Sequence, residues 1–196
     1  MMHVPVPNES AWIRRVVAIL GEKPTPDSDH ALQALRDRLV PLAWGEGCPR
    51  AGGFAADAAT GRLHRHPLVL DEESGCSALV MVWPAGYSTL PHDHAGLWGI
   101  ELVIDGALEV DEFIRVGEPA RPALARTRSL YLGIGDAAVF SGDTYVHRCR
   151  NLSTTRAAVS LHVYGGVLDA YRAFATDASG RYRMQSEIAG NDVALN

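Results

Sequence analysis

The chain is poor in the features that would place it in several common classes. It has no long uninterrupted apolar run; its most apolar N-terminal stretch, Ala11 to Leu20, is broken by Arg14 and Arg15. That stretch is too short and too charged for a signal peptide or a membrane span. Only three cysteines are present, Cys48, Cys76 and Cys149, an odd number with no C-x-x-C pair. A disulfide framework is therefore not expected, and a reducing, cytoplasmic location is. Basic residues form no stripe and the formal net charge is −5, which argues against nucleic-acid binding by phosphate neutralisation. Internal repeats and low-complexity tracts are absent. What is present is 196 residues with 47% hydrophobic content, enough to build one ordinary core.

Two amphipathic helices are expected at the N-terminus. Residues 10–22 carry Trp12, Ile13, Val16, Val17, Ile19 and Leu20 near helical spacing, and residues 29–40 carry Leu32, Leu35 and Leu39. Asp27, Ser28 or Asp29 offers a cap for the second helix, Pro41 a stop, and Pro24-Thr25-Pro26 a turn between the two. The Gly- and Ala-rich residues 44–62 read as loop. From Leu63 the pattern becomes one of short β-prone runs: 78–83, 98–104, 107–114, 129–132, 137–140, 147–151 and 156–164. Residues 167–176 and 182–184 flank Asp177-Ala178-Ser179-Gly180 as a terminal hairpin. The expectation is a single, mainly β domain over 1–196. It divides into N-terminal helices and loop (1–62), a β-barrel core (63–165) and C-terminal strands or hairpin (166–196). Many short, closely spaced strands suit a sandwich or barrel of the jelly-roll kind.

The chemistry is concentrated in the histidines. His92 and His94, separated by one residue, would project from the same face of a strand, and His147 could bring a third imidazole from far off in sequence. Three neutral nitrogen donors suit Fe, Zn, Cu or Ni and leave one side of the metal open. His3, His30, His64 and His66 show no comparable partners and are set aside as ligands. Further on, Ser160, His162 and Tyr164 alternate along one run, so a hydroxyl, an imidazole and a phenol can form a hydrogen-bonded chain. Glu101, two residues after Gly99, would face the same interior. It is expected to pair with an arginine or contact substrate rather than ligate metal.

These residues carry a resemblance. Gly86, His92, His94, Gly99 and Gly106 follow the spacing of the first cupin motif, with Gly99 where a glutamate ligand usually stands, and His147 with Asn151 matches the end of the second. The P-x-G that normally precedes that histidine is poorly kept at Ser141-Gly142-Asp143-Thr144. With Trp83 and the Ser160, His162, Tyr164 set, the chain resembles the thiol dioxygenases, the cysteine dioxygenase branch of the cupins, over roughly residues 63–176. The resemblance implies a cupin jelly-roll barrel and Fe(II) held by His92, His94 and His147. It also implies a Ser160–His162–Tyr164 relay beside the metal, and addition of O2 to a small thiol to give a sulfinate. Members with a cysteine at the Gly99 position cross-link it to the tyrosine; Gly99 cannot, so Tyr164 is expected to be free.

For the substrate carboxylate the resemblance offers two arginines. Arg65 lies near the position used by cysteine dioxygenases, whereas Arg172, after His162-Val163-Tyr164-Gly165, lies near the one used by enzymes that oxidise 3-mercaptopropionate. If both pointed inward, a dicarboxylate thiol such as mercaptosuccinate would fit. Two other readings stand beside the dioxygenase: a zinc or nickel cupin hydrolase or isomerase using Glu101 as base, and a non-catalytic cupin that binds a small ligand.

Overall fold

The computed structural model describes residues 10–22, 24, 26, 28–71, 75–118, 121–142 and 144–190. Thr25, Asp27, Asp143 and His3, weighed above, lie outside the described residues. Helix α1, Ala11–Leu20, is capped by Ser10, whose side chain accepts from the Ile13 amide, and buries Trp12, Ile13, Val16 and Leu20. Helix α2, Asp29–Leu39, is capped in the same way by Ser28 and buries Leu32, Leu35 and Leu39. A 3-10 turn, Val40–Trp44, takes over where Pro41 cannot continue the α-helix. The Trp12 indole donates to the Leu42 carbonyl at 2.8 Å and ties α1 to that turn. No helix among the described residues is long and apolar enough to cross a membrane.

The segment read as loop is partly helical: a 3-10 turn at Ala51–Phe54 runs into a short helix α3, Ala55–Ala59. Tertiary contacts impose this order. Arg50 donates to the carbonyls of Ala43 and Ile104, and Asp105 accepts from the Ala51 amide at 2.8 Å.

Among the described residues ten strands follow: β1 His64–Asp71, β2 Cys76–Trp83, β3 Gly99–Asp105, β4 Leu108–Glu118, β5 Arg121–Leu132, β6 Ala137–Phe140, β7 Tyr145–Asn151, β8 Ala158–Tyr164, β9 Ala170–Thr176 and β10 Tyr182–Ile188. Strand β1 was not expected. Its Pro67 and polar residues mask it, and an edge position with a register shift between Pro67 and Val69 accommodates the proline. The β4–β5 hairpin is longer than expected because charged pairs such as Glu112 and Arg128 extend it past the apolar core.

One sheet runs β1-β2-β8-β3-β6, a second β5-β4-β7, and β9-β10 form a separate hairpin. The fold is mainly β, a cupin-type jelly roll with N-terminal helices. Correcting the barrel expectation, the two sheets face each other without closing into one continuous hydrogen-bonded barrel among the described residues. The outer face of the five-stranded sheet, with Val80, Val82, Ile100, Leu102, Leu161 and Val163, packs under the helices. Its inner face, with Met81, Trp83, Val103 and Tyr164, meets the second sheet. Strands β2 and β8 are buried along their whole length because both faces are covered. Gly106 closes the β3–β4 turn at φ 78°, where an added Cβ would stand 2.8 Å from that of Ala158. All three cysteines are free thiols.

Asn151 fastens the far end of the sandwich. Its buried amide donates to the carbonyls of Trp83, Pro84 and Arg156, and its oxygen accepts from the Ser153 amide at 3.0 Å. Replacing it with alanine leaves those buried groups unpaired, so N151A should lower unfolding stability by about 2–3 kcal/mol in a urea titration.

Candidate active site

Three imidazoles meet between the sheets. Ring centroids of His92 and His147 are 4.6 Å apart, those of His94 and His147 4.7 Å, and those of His92 and His94 5.3 Å. One ring nitrogen from each lies within 4.8 Å of the others. His147 comes from β7, as expected. His92 and His94 do not sit on a regular strand: they belong to the segment between β2 and β3, and His92 makes isolated bridges with His147 and Ala173. A turn at Ala95 (φ 53°) and Gly96 bends the chain away directly after His94, so the ladder cannot extend. Ala95 is the only described non-glycine residue in the left-handed region, a conformation that costs about 1–2 kcal/mol.

The donors have the character a metal requires. His92 Nδ1 is 2.9 Å from the Leu90 carbonyl and donates to it, which leaves Nε2 as a lone pair facing His147 Nε2 at 3.2 Å. Both nitrogens of His94 are buried with no hydrogen-bond partner among the described residues. Burial holds His92, His94 and His147 below the ordinary histidine pKa, the last two well below it, so all three are neutral. An orphaned buried imidazole beside the His92 lone pair and the converging His147 ring is costly on its own and fits a divalent cation.

The loop carrying these ligands is held from behind. Asp93, between the two histidines and 1% exposed, accepts from Arg172 Nε at 2.5 Å, from the Arg172 amide at 3.0 Å and from the Ala95 amide at 3.3 Å. Arg115 stands 3.9 Å away. Asp93 thus ties the histidine pair to β9.

Strand β8 carries the relay on the face turned to the same interior. Ser160 Oγ lies 2.8 Å from His162 Nε2, and His162 Nδ1 lies 3.0 Å from the Tyr164 hydroxyl. The Trp83 indole, which can only donate, reaches Ser160 Oγ at 2.7 Å. With these partners the pattern that uses every proton runs Trp83 to Ser160 to His162 to Tyr164. The Tyr164 proton is then left to point into the cavity. Burial pushes the phenol well above its ordinary pKa and keeps that proton in place.

The cavity has a volume of about 220 Å³ and is lined by His92, His162, Tyr164, Arg65, Glu101 and Tyr171, among others. Arg65, buried on β1, reaches it. Arg172 is not among its lining residues, because its guanidinium goes to Asp93. Glu101 pairs with histidines instead of an arginine: Oε1 is 3.4 Å from both His147 Nε2 and His162 Nδ1. Burial alone would raise its pKa, but those imidazoles bring it down to about 2. Cys149 donates to Glu101 at 3.5 Å, and burial lifts its thiol well above the usual range, so it is not a thiolate. The absent side chain at Gly99 makes room for Phe140, whose ring would lie 2.1 Å from an added Cβ and stacks on His94 at 4.2 Å.

The model of the family described as Cysteine dioxygenase type I matches residues 62–177. The chain belongs to that family. Among solved structures, it is similar to the Schizosaccharomyces pombe Cnp3 cupin domain (12% identity, TM-score 0.42, covering 54% of this chain and 61% of that one). It is also similar to a conserved protein with a double-stranded β-helix domain from Klebsiella pneumoniae subsp. pneumoniae (18% identity, TM-score 0.41, covering 53% and 76%). A third similar structure is KdgF from Halomonas sp. (22% identity, TM-score 0.38, covering 53% and 79%). The match thus spans less than two thirds of the length of the Cnp3 domain.

Asp93 and Phe140 are not singled out by the sequence pattern as parts of this site, and Trp83 enters only through the family resemblance, since each acts through a partner distant in sequence. His64 and His66, set aside for want of partners, do have one: with Asp57 they bring ligand atoms within 4.8 Å of one another. If the cavity histidines hold a metal, H94A should lower its affinity about tenfold or more, read as metal retained after desalting, with the far-UV spectrum unchanged. Asp93→Asn should weaken retention in the same direction by loosening the ligand loop.

Proposed function

We propose that this protein is an Fe(II)-dependent thiol dioxygenase that converts a small thiol acid, R–SH, with one O2 into the sulfinic acid R–SO2H. The observation that carries this reading is the Trp83–Ser160–His162–Tyr164 chain, ending on a cavity also lined by His92 and Arg65. Fe(II), when bound by His92, His94 and His147, supplies the one-electron chemistry that lets ground-state O2 react with a thiolate, and it acidifies the thiol.

The chain's own residues do the rest. Arg65 receives the substrate carboxylate as a charge-assisted, two-pronged contact and so fixes the direction of the thiol. Tyr164 donates its proton as a hydrogen bond to the oxygens as negative charge develops, and His162 with Ser160 keeps the phenol turned that way. The apolar wall, including Met81, Leu168 and Trp83, excludes water from the reacting atoms. A cavity of about 220 Å³ falls below the range of roughly 300–1,000 Å³ typical of drug-sized ligands, which favours a small substrate. With Arg172 engaged by Asp93, one carboxylate is favoured over two, and so cysteine or 3-mercaptopropionate over mercaptosuccinate.

A panel of thiols given to iron-loaded protein in an oxygen electrode tests this. One O2 should be consumed per sulfinate formed; no uptake with any of cysteine, 3-mercaptopropionate, cysteamine or mercaptosuccinate would remove the reading. Y164F should lower kcat about 10²-fold with KM little changed. R65Q should raise KM by about 10- to 100-fold for carboxylate thiols and leave cysteamine, which has no carboxylate, unaffected. A non-catalytic ligand-binding cupin would show no turnover for Y164F to reduce.

A further inference from the structure

A second group of ligating side chains lies on the opposite face of β1 from the cavity. His64 and His66 flank Arg65, so while the arginine points inward the two imidazoles point out toward α3, stacked with centroids 6.2 Å apart. Both are buried, at 5% and 7% exposure. Asp57 of α3 meets them: Oδ2 is 2.9 Å from His66 Nε2, and Oδ1 is 4.0 Å from His64 Nδ1.

Thr60 Oγ1 donates its single proton to the Asp57 carbonyl at 2.8 Å. At its 2.8 Å contact with His64 Nε2 the hydroxyl must therefore accept, and Nε2 carries the proton. In the neutral ring Nδ1 is then the lone pair, and it is turned to a carboxylate oxygen. Asp57, His64 and His66 thus each offer one ligand atom, and the three atoms lie within 4.8 Å of one another beside two buried rings. Donors about 2.0–2.1 Å from a tetrahedral zinc stand about 3.3 Å apart, so an ion would draw these three atoms slightly closer together.

We propose that His64, His66 and Asp57 form a second metal site, one that takes Zn2+ and staples α3 to β1. Two imidazoles and one carboxylate select a borderline transition ion over Ca2+ or Mg2+. Thr60, holding His64 Nε2, is the outer partner that fixes the ring, as ligating histidines usually require. Asp57, with its side chain 29% exposed, leaves a route of entry from solvent. Because Arg65 lies between the two ligands, the ion stiffens the strand that carries the cavity's cation.

Calorimetric titration of the metal-free full chain with Zn2+, together with thermal melts with and without Zn2+, tests the site. The expected result is two equivalents bound by the unmodified protein and one by H94A, which loses the cavity histidine. H66Q and D57N should each also bind one, and either change added to H94A should abolish both the remaining uptake and the rise in Tm that Zn2+ gives H94A. D57N keeps the shape of the carboxylate and serves if H66Q fails to fold. Zn2+ uptake by H94A that persists undiminished when D57N is added would overturn the proposal. So would a Tm deficit in D57N that is the same with and without Zn2+, since a simple ion pair pinning α3 behaves in that way.

Discussion

Strand β8 is buried on both faces, and that constraint organises the molecule. Val159, Leu161 and Val163 go under the helices, so Ser160, His162 and Tyr164 must face the space between the sheets. All three are almost completely buried, so each polar group needs a hydrogen-bond partner. The three bond to one another and to Trp83. Register completes the arrangement: Glu101 of β3 lies beside His162, and Gly99 lies beside Tyr164. A chain of polar side chains at the centre of a sheet is thus set by the period of the strand and by the two layers that cover it.

The loop that carries His92 and His94 has a different support. His92 and His94 lie outside regular structure, where a ladder would ordinarily hold side-chain directions. The substitute is Asp93, which collects one charged and two backbone donors and anchors the loop to β9. The β9–β10 hairpin therefore does two things. It closes one wall of the cavity through Tyr171, and through Arg172 it keeps the histidine pair in place. The cost of a left-handed Ala95 next to His94 is borne by this network.

Periodicity explains which parts of this were legible in the sequence. The amphipathic helices, most strands and the trio on β8 follow from spacing alone, because regular elements turn spacing into direction. Asp57 meeting His64 and His66 does not, since α3 was hidden in an Ala- and Gly-rich stretch and β1 by Pro67. The histidine pairs invert the simple rule. His64-x-His66 sits on a true strand and points as alternation says, yet it was set aside. His92-x-His94 was chosen on the strand argument, and converges without a strand. Arg172 was drawn inward by sequence proximity to the Tyr164 segment, but a buried aspartate with several donors is a stronger claim on a guanidinium than an open cavity.

The cavity's charges also explain why Glu101 stands where it does. Three neutral imidazoles would leave a dication held among them uncompensated, and a low-dielectric interior would make that expensive. A carboxylate at the Gly99 position would offset it from within the ligand set, but Phe140 fills that space. Glu101, one inward-facing position further along β3, reaches His147 and His162 instead. It holds negative charge close to the centre and leaves the cavity side of the histidine cluster to small molecules. Arg65 supplies the opposite sign on the cavity wall, so the cavity offers a cation at one side and neutral imidazole donors at the other. Displacing the carboxylate by two residues thus compensates the charge without crowding the coordination side, whereas the more usual placement would do both.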